Sequence, residues 1–230
     1  MRKLLLTFII VFTTITSCKV VLSLSQLQLK KAKVYSYTYK GKDLKYIPMH
    51  HLGKKEFYND VKEKIAELKY DGYVVFYEQI STNLAIDSLK KDTIRRKVRK
   101  IKGFNGNYDD VAKGTFLEKY VMQPPYEEMG ITDNDVRADI DYLQFVNEWE
   151  RVNGMIILDS TDLYTPFDST FRKGRFYSSK DFNKIVIEYR NQYLVEMIDS
   201  SHCDKILIIY GMGHKKDLQA RLRKRNRHSH

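Results

Sequence analysis

The chain has 230 residues, of which 43% are hydrophobic, and its formal net charge is +11 at pH 7. This length can bury one sizeable core and suits a single α/β domain. Only two cysteines are present and they form no Cys-x-x-Cys pair, which argues against a disulfide framework and against a cysteine-ligated metal site.

The N-terminal residues have the pattern of a bacterial export signal. Arg2 and Lys3 supply positive charge, and Leu4 to Phe12 form an apolar core too short to span a membrane. Ile15-Thr16-Ser17-Cys18 resembles a lipobox, which predicts that Cys18 becomes the lipidated N-terminus and anchors the chain. An ordinary secretory signal with an incidental cysteine is the alternative.

This interpretation divides the chain into a signal peptide at residues 1–17, a lipidated N-terminus and tether at 18–33, and a single domain at 34–230. It places the protein in the bacterial cell envelope, in the periplasm or at the outer membrane, with the membrane as a partner through Cys18. An exported protein rarely meets nucleic acid, so an anionic envelope surface is the better counterpart for the excess positive charge. A solvated basic face is the alternative.

A β-hairpin, a helix and a buried strand open the predicted domain. Val34 to Tyr39 and Leu44 to Met49 are predicted as the two strands of the hairpin, with a turn at Lys40 to Asp43. Lys55 to Lys69 has apolar residues at the spacing of an amphipathic helix. Tyr73 to Tyr77 is β-branched and aromatic throughout, which is typical of a buried strand.

A basic helix is predicted from Asn83 to Ile101. One face is apolar, and the other carries Lys90, Lys91, Arg95, Arg96, Lys97, Arg99 and Lys100. Three interpretations are open: a solvated face, a surface for a membrane or another polyanion, and a nucleic-acid-binding face. Aromatic residues do not interleave the basic run, which counts against nucleic acid.

Helices and strands continue to alternate in the second half of the chain. Helices are predicted from Tyr142 to Val152, from Ser178 onward and from Lys216 to Arg227, and buried strands at Met155 to Leu158 and Ile206 to Tyr210. Together with the first half, these patterns predict an α/β fold. We expect one domain with a mainly parallel, mixed central sheet flanked by helices.

An acidic run precedes the helix predicted at 142–152. Thr132 to Asp141 lacks the spacing of an EF-hand loop and its terminal glutamate, so calcium binding is not predicted. Helix capping and exposure to solvent account for Asp139 and Asp141.

Histidine or glutamate follows three of the predicted strands. His51 comes after the first, Glu78 ends the second, and His214 closes the turn Gly211-Met212-Gly213-His214 after the last. The carboxyl ends of parallel strands share one edge of a sheet, where α/β proteins bind ligands, so we expect the three side chains to meet there. A lone histidine at such a position is more often structural, but two of them with a glutamate favour a functional site.

These short motifs resemble those of the TraB/Tiki (GumN-like) superfamily, whose distant relatives are the erythromycin esterases and the ChaN-like haem-binding lipoproteins. The resemblance covers Pro48-Met49-His50-His51, the strand Tyr73 to Glu78, and Gly211 to His214. Arg190-Asn191, on a predicted helix, matches a further basic position. Pro48 departs from the pattern because the family usually has glycine there, while the histidine is kept.

The resemblance implies a hydrolase. In the Tiki-type chemistry that it implies, His51, Glu78 and His214 hold one divalent metal ion that activates water, and Arg190 stabilises an oxyanion or holds a substrate carboxylate. The esterase relatives imply an alternative in which no metal binds and a histidine or Glu78 acts as general base. The expected substrate is a peptide, an ester or another small molecule. The haem-binding relatives imply a different class, a ligand-binding or scaffold lipoprotein without turnover.

Overall fold

The computed structural model describes residues 27–82, 85–103, 119–169, 171 and 179–227. The predicted signal peptide, Cys18 and part of the tether lie outside these residues. Among the residues that are described, no helix is both long enough and apolar enough to cross a bilayer.

The described elements follow one another along the chain as β1 (Tyr35–Tyr39), β2 (Lys42–Met49), β3 (Leu52–Gly53), α1 (Lys55–Tyr70), β4 (Val74–Tyr77), α2 (Ser88–Lys102), β5 (Val121–Met122), β6 (Val136–Arg137), α3 (Tyr142–Asn153), α4 (Ser160–Tyr164), α5 (Ser179–Asn183), a π-helix (Lys184–Tyr189), α6 (Arg190–Ser200), β7 (Lys205–Gly211), a 3-10 turn (Met212–His214) and α7 (Lys215–Arg227).

A five-stranded sheet in the order β1-β2-β7-β4-β6 forms the centre of the fold. β1 and β2 are antiparallel, which confirms the predicted hairpin, and the other three pairings are parallel. The short strands β3 and β5 form a separate antiparallel pair. The structure thus confirms the predicted α/β class with a mixed, mainly parallel sheet.

The two faces of the sheet carry different helices, because successive side chains of a strand point to opposite faces. On one face, Leu207 of β7 belongs to the same apolar cluster as Val61 of α1. On the other face, Ile208 of β7 belongs to a cluster with Leu194 of α6 and Leu218 of α7. The sheet is therefore a central layer with apolar packing on both sides.

A third apolar cluster joins α2, α3 and the π-helix. Its buried members include Val98, Phe145, Trp149 and Ile185. Helix α3 begins at a capping box formed by Asp141 and Gln144, which confirms the capping role predicted for Asp141.

The segment Met155 to Leu158 is not a strand, so that prediction was wrong. Ile156 is buried, but Met155 and Ile157 are 80% and 78% exposed. The segment runs along α2, where Lys100 Nζ donates to the carbonyl of Ile157 at 2.7 Å. The place beside β4 is taken by β6, so this apolar run has no neighbouring strand in the sheet.

The order of the strands creates a switch point between β2 and β7. β2 leads into α1 on one face of the sheet, and β7 leads into α7 on the other face. The two strands are parallel neighbours with Met49 opposite Gly211. Connections that leave toward opposite faces open a crevice at the carboxyl edge, and α/β proteins bind ligands in such crevices.

Candidate functional site

The carboxyl ends of β4 and β7 bring Glu78 and His214 to one edge of the sheet. The amide of Glu78 extends the ladder by donating to the carbonyl of Ile209 at 3.0 Å. Phe76 faces the helices α6 and α7, and the two-residue period of the strand directs Glu78 to the same side. Arg190, at the start of α6, lies one turn before the buried Leu194 and thus on the face of that helix that meets the sheet.

Arg190 lies between two carboxylates. Its Nε and Nη2 donate to the two oxygens of Asp139 at 2.9 and 2.6 Å, and Nη2 also donates to Oε1 of Glu78 at 2.6 Å. The side chains of Arg190, Glu78 and Asp139 are 5%, 13% and 0% exposed. This is a buried network in which the bidentate contact with Asp139 fixes the plane of the guanidinium.

The charges of this network support one another. Burial by itself raises the pKa of the Glu78 carboxyl, but the charge of Arg190, together with His214 and the Gly211 amide, outweighs it and holds that pKa well below its usual range. Burial opposes the charge of Arg190 in the same way, and Glu78 and Asp139 outweigh it, so the pKa of the guanidinium is raised. Glu78 and Arg190 are therefore both charged at neutral pH.

The imidazole of His214 is held in one orientation and one tautomer. The amide nitrogen of Asn191 donates to the His214 carbonyl and to Oδ2 of Asp217, each at 2.9 Å, so its amide oxygen must face the ring. That oxygen lies 2.8 Å from Nδ1 of His214 and can only accept, so Nδ1 carries the proton. In the neutral ring, Nε2 is then unprotonated.

Nε2 of His214 faces the charged network. It lies 3.4 Å from Nη1 of Arg190 and 3.5 Å from Oε1 of Glu78. The distance to Nη1 is long for a hydrogen bond, so the lone pair on Nε2 is only weakly engaged.

Gly211 allows the Glu78 carboxylate to approach the backbone of β7. The Gly211 amide donates to Oε2 of Glu78, and a Cβ atom at this position would lie 3.0 Å from the same oxygen. Any side chain at position 211 would therefore displace the carboxylate.

Three buried tyrosines hold the main chain at the ends of the strands. The hydroxyl of Tyr46 donates to the Gly211 carbonyl at 2.7 Å, that of Tyr126 to the Glu78 carbonyl, and that of Tyr210 to the Ala138 carbonyl at 2.5 Å. Burial raises the pKa of all three phenols above its ordinary value, so they remain protonated donors.

His51 lies in the loop after β2, at the same edge of the sheet, but its side chain is exposed. Its carbonyl accepts from the amide of Gln123 at 2.9 Å. The neighbouring His50 is the more buried of the two; its ring contacts Phe57 edge-on at 5.2 Å, and burial, together with the charge of His51, lowers its pKa. The structure thus brings Glu78, Arg190 and His214 into direct contact and leaves the ring of His51 outside this buried cluster.

A divalent metal ion does not fit between Glu78 and His214. The guanidinium of Arg190 already lies there, 2.6 Å from Oε1 of Glu78 and 3.4 Å from Nε2 of His214, and its positive charge would repel a metal cation. In the part of the chain that the structure describes, no three His, Cys, Asp or Glu residues are grouped so that they could hold a metal ion. Metal binding by His51, Glu78 and His214 stays a prediction, and this arrangement counts against it.

Sequence reasoning missed Asp139, for which it predicted helix capping or exposure to solvent. The side chain of Asp139 is fully buried. Its Oδ1 accepts from the main-chain amide of Ile140 at 2.9 Å as well as from Arg190. The one local signal is that Asp139 stands between Ala138 and Ile140, which are both apolar and both buried. The same alternation is typical of a half-exposed strand, so it does not reveal that Asp139 is buried with a cationic partner.

No protein-family model, no curated protein and no solved structure matches this chain. The resemblance to the TraB/Tiki superfamily therefore rests on the short motifs at Pro48 to His51, Tyr73 to Glu78 and Gly211 to His214, and it stays a prediction.

Proposed function

We propose that this chain is an exported, lipid-anchored hydrolase of the bacterial cell envelope, in which His214 acts as the general base on peptide or ester substrates. One observation carries the proposal. Asn191 fixes the tautomer of the imidazole so that Nε2 carries the lone pair in the neutral ring, beside a guanidinium, at the carboxyl edge of a mainly parallel sheet.

His214 has the surroundings of a general base. A base that a third group holds in one tautomer is the arrangement found in hydrolytic sites, and Asn191 supplies that third group here. Nε2 takes a proton from a water molecule or hydroxyl that reaches it. The imidazolium that results faces Oε1 of Glu78 at 3.5 Å, and the negative charge of Glu78 stabilises it.

Arg190 supplies the positive charge for the transition state. Its Nε and Nη2 are engaged with carboxylates at 2.6 to 2.9 Å, whereas Nη1 has only longer contacts, 3.3 Å to the Val186 carbonyl and 3.4 Å to His214. Nη1 is therefore the nitrogen that can most readily turn to a new acceptor. It would donate to the oxyanion that forms when water attacks a carbonyl carbon.

The substrate would enter at the carboxyl edge between β2 and β7, where the switch point of an α/β sheet forms a binding crevice. His51 and Gly213, both exposed, lie on the loops that follow these two strands. The π-helix ends at Tyr189, immediately before Arg190, and π-helical turns are frequent at functional sites.

The proposal is tested with the purified protein on a panel of chromogenic esters and a panel of fluorogenic peptides. His214→Gln keeps most of the volume of the buried ring, and we expect it to lower turnover by about 10²- to 10⁴-fold, the usual contribution of a general base. His202→Gln, at an exposed histidine just before β7, is the matched control and should keep the parent's activity.

Two results would contradict the proposal. One is equal turnover by the parent protein and a folded His214→Gln variant. The other is no turnover of either panel by the parent protein. The second result would favour a ligand-binding lipoprotein, in agreement with the 4% exposure of the His214 side chain.

A further inference from the structure

Large apolar side chains are exposed together on one short segment of the surface. Met155, Ile157, Leu163 and Tyr164 are 80%, 78%, 45% and 82% exposed. Among the described residues, these are four of the eight large hydrophobic side chains that are exposed. Single exposed apolar residues need no explanation, but a group of them marks a surface that contacts something else. We call these four side chains the apolar segment.

The apolar segment is held firmly against helix α2 by its main chain. Besides the contact of Lys100 with the Ile157 carbonyl, Arg99 donates to the carbonyls of Asp162, Thr165 and Pro166 at 2.7, 2.9 and 3.1 Å. The capping box of α4 adds to this, because the Asp159 carboxylate accepts from the amides of Thr161 and Asp162. The polar backbone is thus satisfied on the protein side, while the apolar side chains face solvent.

Positive charge lies beside the stretch of chain that carries the apolar segment. The guanidinium groups of Arg95, Arg96 and Arg99 lie over the ring of Phe167 at 4.1, 4.9 and 4.8 Å from its centre. Residues 88–102 and 154–169 together contain eight basic and four acidic residues. Two of these acidic residues, Asp159 and Asp162, are already paired with Lys100.

Three basic residues of α2 lie on a single stripe of the helix. Lys91, Arg95 and Lys102 are spaced by four and seven residues, which places them on one side. Within the described part of the chain, the ion pairs of α2 involve other residues, such as Arg96 with Asp92 and Lys97 with Glu150. We call Lys91, Arg95 and Lys102 the basic stripe. Arg95 lies over the ring of Phe167, which follows Tyr164 of the apolar segment by three residues in the chain.

We propose that the apolar segment and the basic stripe together form a docking surface for an anionic phospholipid bilayer. Apolar and tyrosine side chains enter the interface of a bilayer, while lysine and arginine beside them bind the phosphate groups. The excess of positive charge at this surface is complementary to anionic lipid. The surface is formed by residues other than those of the candidate hydrolytic site, so this inference does not rest on the proposed function.

The test is flotation of the full-length protein with lipid vesicles. One set contains phosphatidylcholine alone, and the other contains about 30% phosphatidylglycerol, which provides the anionic surface. Residues 1–26 are the same in every variant, so any binding by them is common to all samples. We expect binding to the anionic vesicles to be about tenfold stronger, and this difference to shrink in high salt.

Paired variants separate the apolar contribution from the charged one. Ile157→Ser with Tyr164→Ser should lower binding to anionic vesicles severalfold, whereas Tyr70→Ser, at a tyrosine of α1 that is 93% exposed, should not. Arg95→Gln with Lys102→Gln should lower it by about fivefold per charge. Lys55→Gln with Lys62→Gln removes the same charge from exposed positions of α1 and should have a smaller effect.

Several outcomes would overturn the proposal. Equal binding to both kinds of vesicle would refute the role of anionic lipid. If Arg95→Gln with Lys102→Gln and Lys55→Gln with Lys62→Gln lowered binding equally, the net charge of the protein and not the basic stripe would explain the binding. If Tyr164→Ser abolished self-association in sedimentation experiments while vesicle binding stayed unchanged, the apolar segment would be a contact between copies of this chain instead.

Discussion

Replacing Arg190 with methionine removes a positive charge that Glu78 and Asp139 share while keeping most of the side-chain volume. The two carboxylates are 13% and 0% exposed, so neither can turn into solvent. Breaking a buried ion pair by removing one partner costs about 3–5 kcal/mol. Because the free energy of unfolding of a domain is about 5–15 kcal/mol in total, we expect a large loss of stability at pH 7.

The pH dependence of stability should change sign in this variant. In the parent protein, the pKa of Glu78 is lower in the folded state than its unfolded value of 4.5, so its stabilising contribution is present above that value and is lost as the pH falls below it. In Arg190→Met, the largest of the contributions that oppose burial is gone and only those of His214 and the Gly211 amide remain, so we expect burial to raise the folded pKa above the unfolded one. The carboxyl then stabilises the fold only when protonated, and the variant loses stability as the pH rises.

Urea unfolding followed by circular dichroism at pH 7 and pH 5 measures both effects. We expect the gap between parent and variant to narrow at pH 5. Arg151→Met is the matched control, because Arg151 pairs with Glu148 on the surface and is 70% exposed; it should leave the urea midpoint unchanged. Two results would contradict this prediction. One is a loss of unfolding free energy below about 1 kcal/mol at pH 7, which is the range of a surface ion pair. The other is a difference between parent and variant that is as large at pH 5 as at pH 7.

Three further predictions concern the backbone of the site, the metal and the anchor. Gly211→Ala should lower stability by about 1–3 kcal/mol in urea unfolding, because its Cβ would lie 3.0 Å from Oε2 of Glu78. Gly213→Ala, whose Cβ would meet the side chain of Ile187 at 3.5 Å, should match the parent, and equal midpoints for the two variants would contradict the prediction. EDTA should leave the activity unchanged, since Arg190 lies where an ion held by Glu78 and His214 would bind; an activity that EDTA abolishes and one added divalent metal ion per chain restores would favour the metal prediction. Cys18→Ser should abolish incorporation of a fatty-acid probe in a bacterial host, and unchanged labelling would exclude lipidation at Cys18.

The strands that carry the site could be predicted from the sequence, because β4 and β7 are rich in β-branched and aromatic residues and β2 follows a hairpin turn. Met155 to Leu158 has the same local pattern, yet it lies along α2. Whether an apolar run joins a sheet depends on a free neighbouring edge. The edge of β4 is occupied by β6, which has only two residues and no pattern that would reveal it.

The candidate site could be predicted in part for a similar reason. Glu78 and His214 directly follow strands, so the topology alone brings them to one edge of the sheet. Asp139 gave no such signal, because its burial depends on Arg190, which lies 51 residues further along the chain. The local periodicity of a sequence does not predict ion pairs between residues that are far apart in the chain. The position of the His51 side chain could not be predicted from the sequence either, since it depends on β3, the short strand that follows His51 and pairs with β5.

The position of β7 between β2 and β4 has a consequence for how the chain folds. Ile206 of β7 pairs with Leu44 on one side and with Val74 on the other, across sequence separations of roughly 130 to 160 residues, and contacts this distant slow folding. Until β7 has been synthesised, β2 and β4 each present an unpaired apolar edge to the solvent. A chain that ends before Lys205 would therefore not be a smaller stable domain but an aggregation-prone intermediate, and the protein becomes able to fold only when its last described strand fills the middle of the sheet.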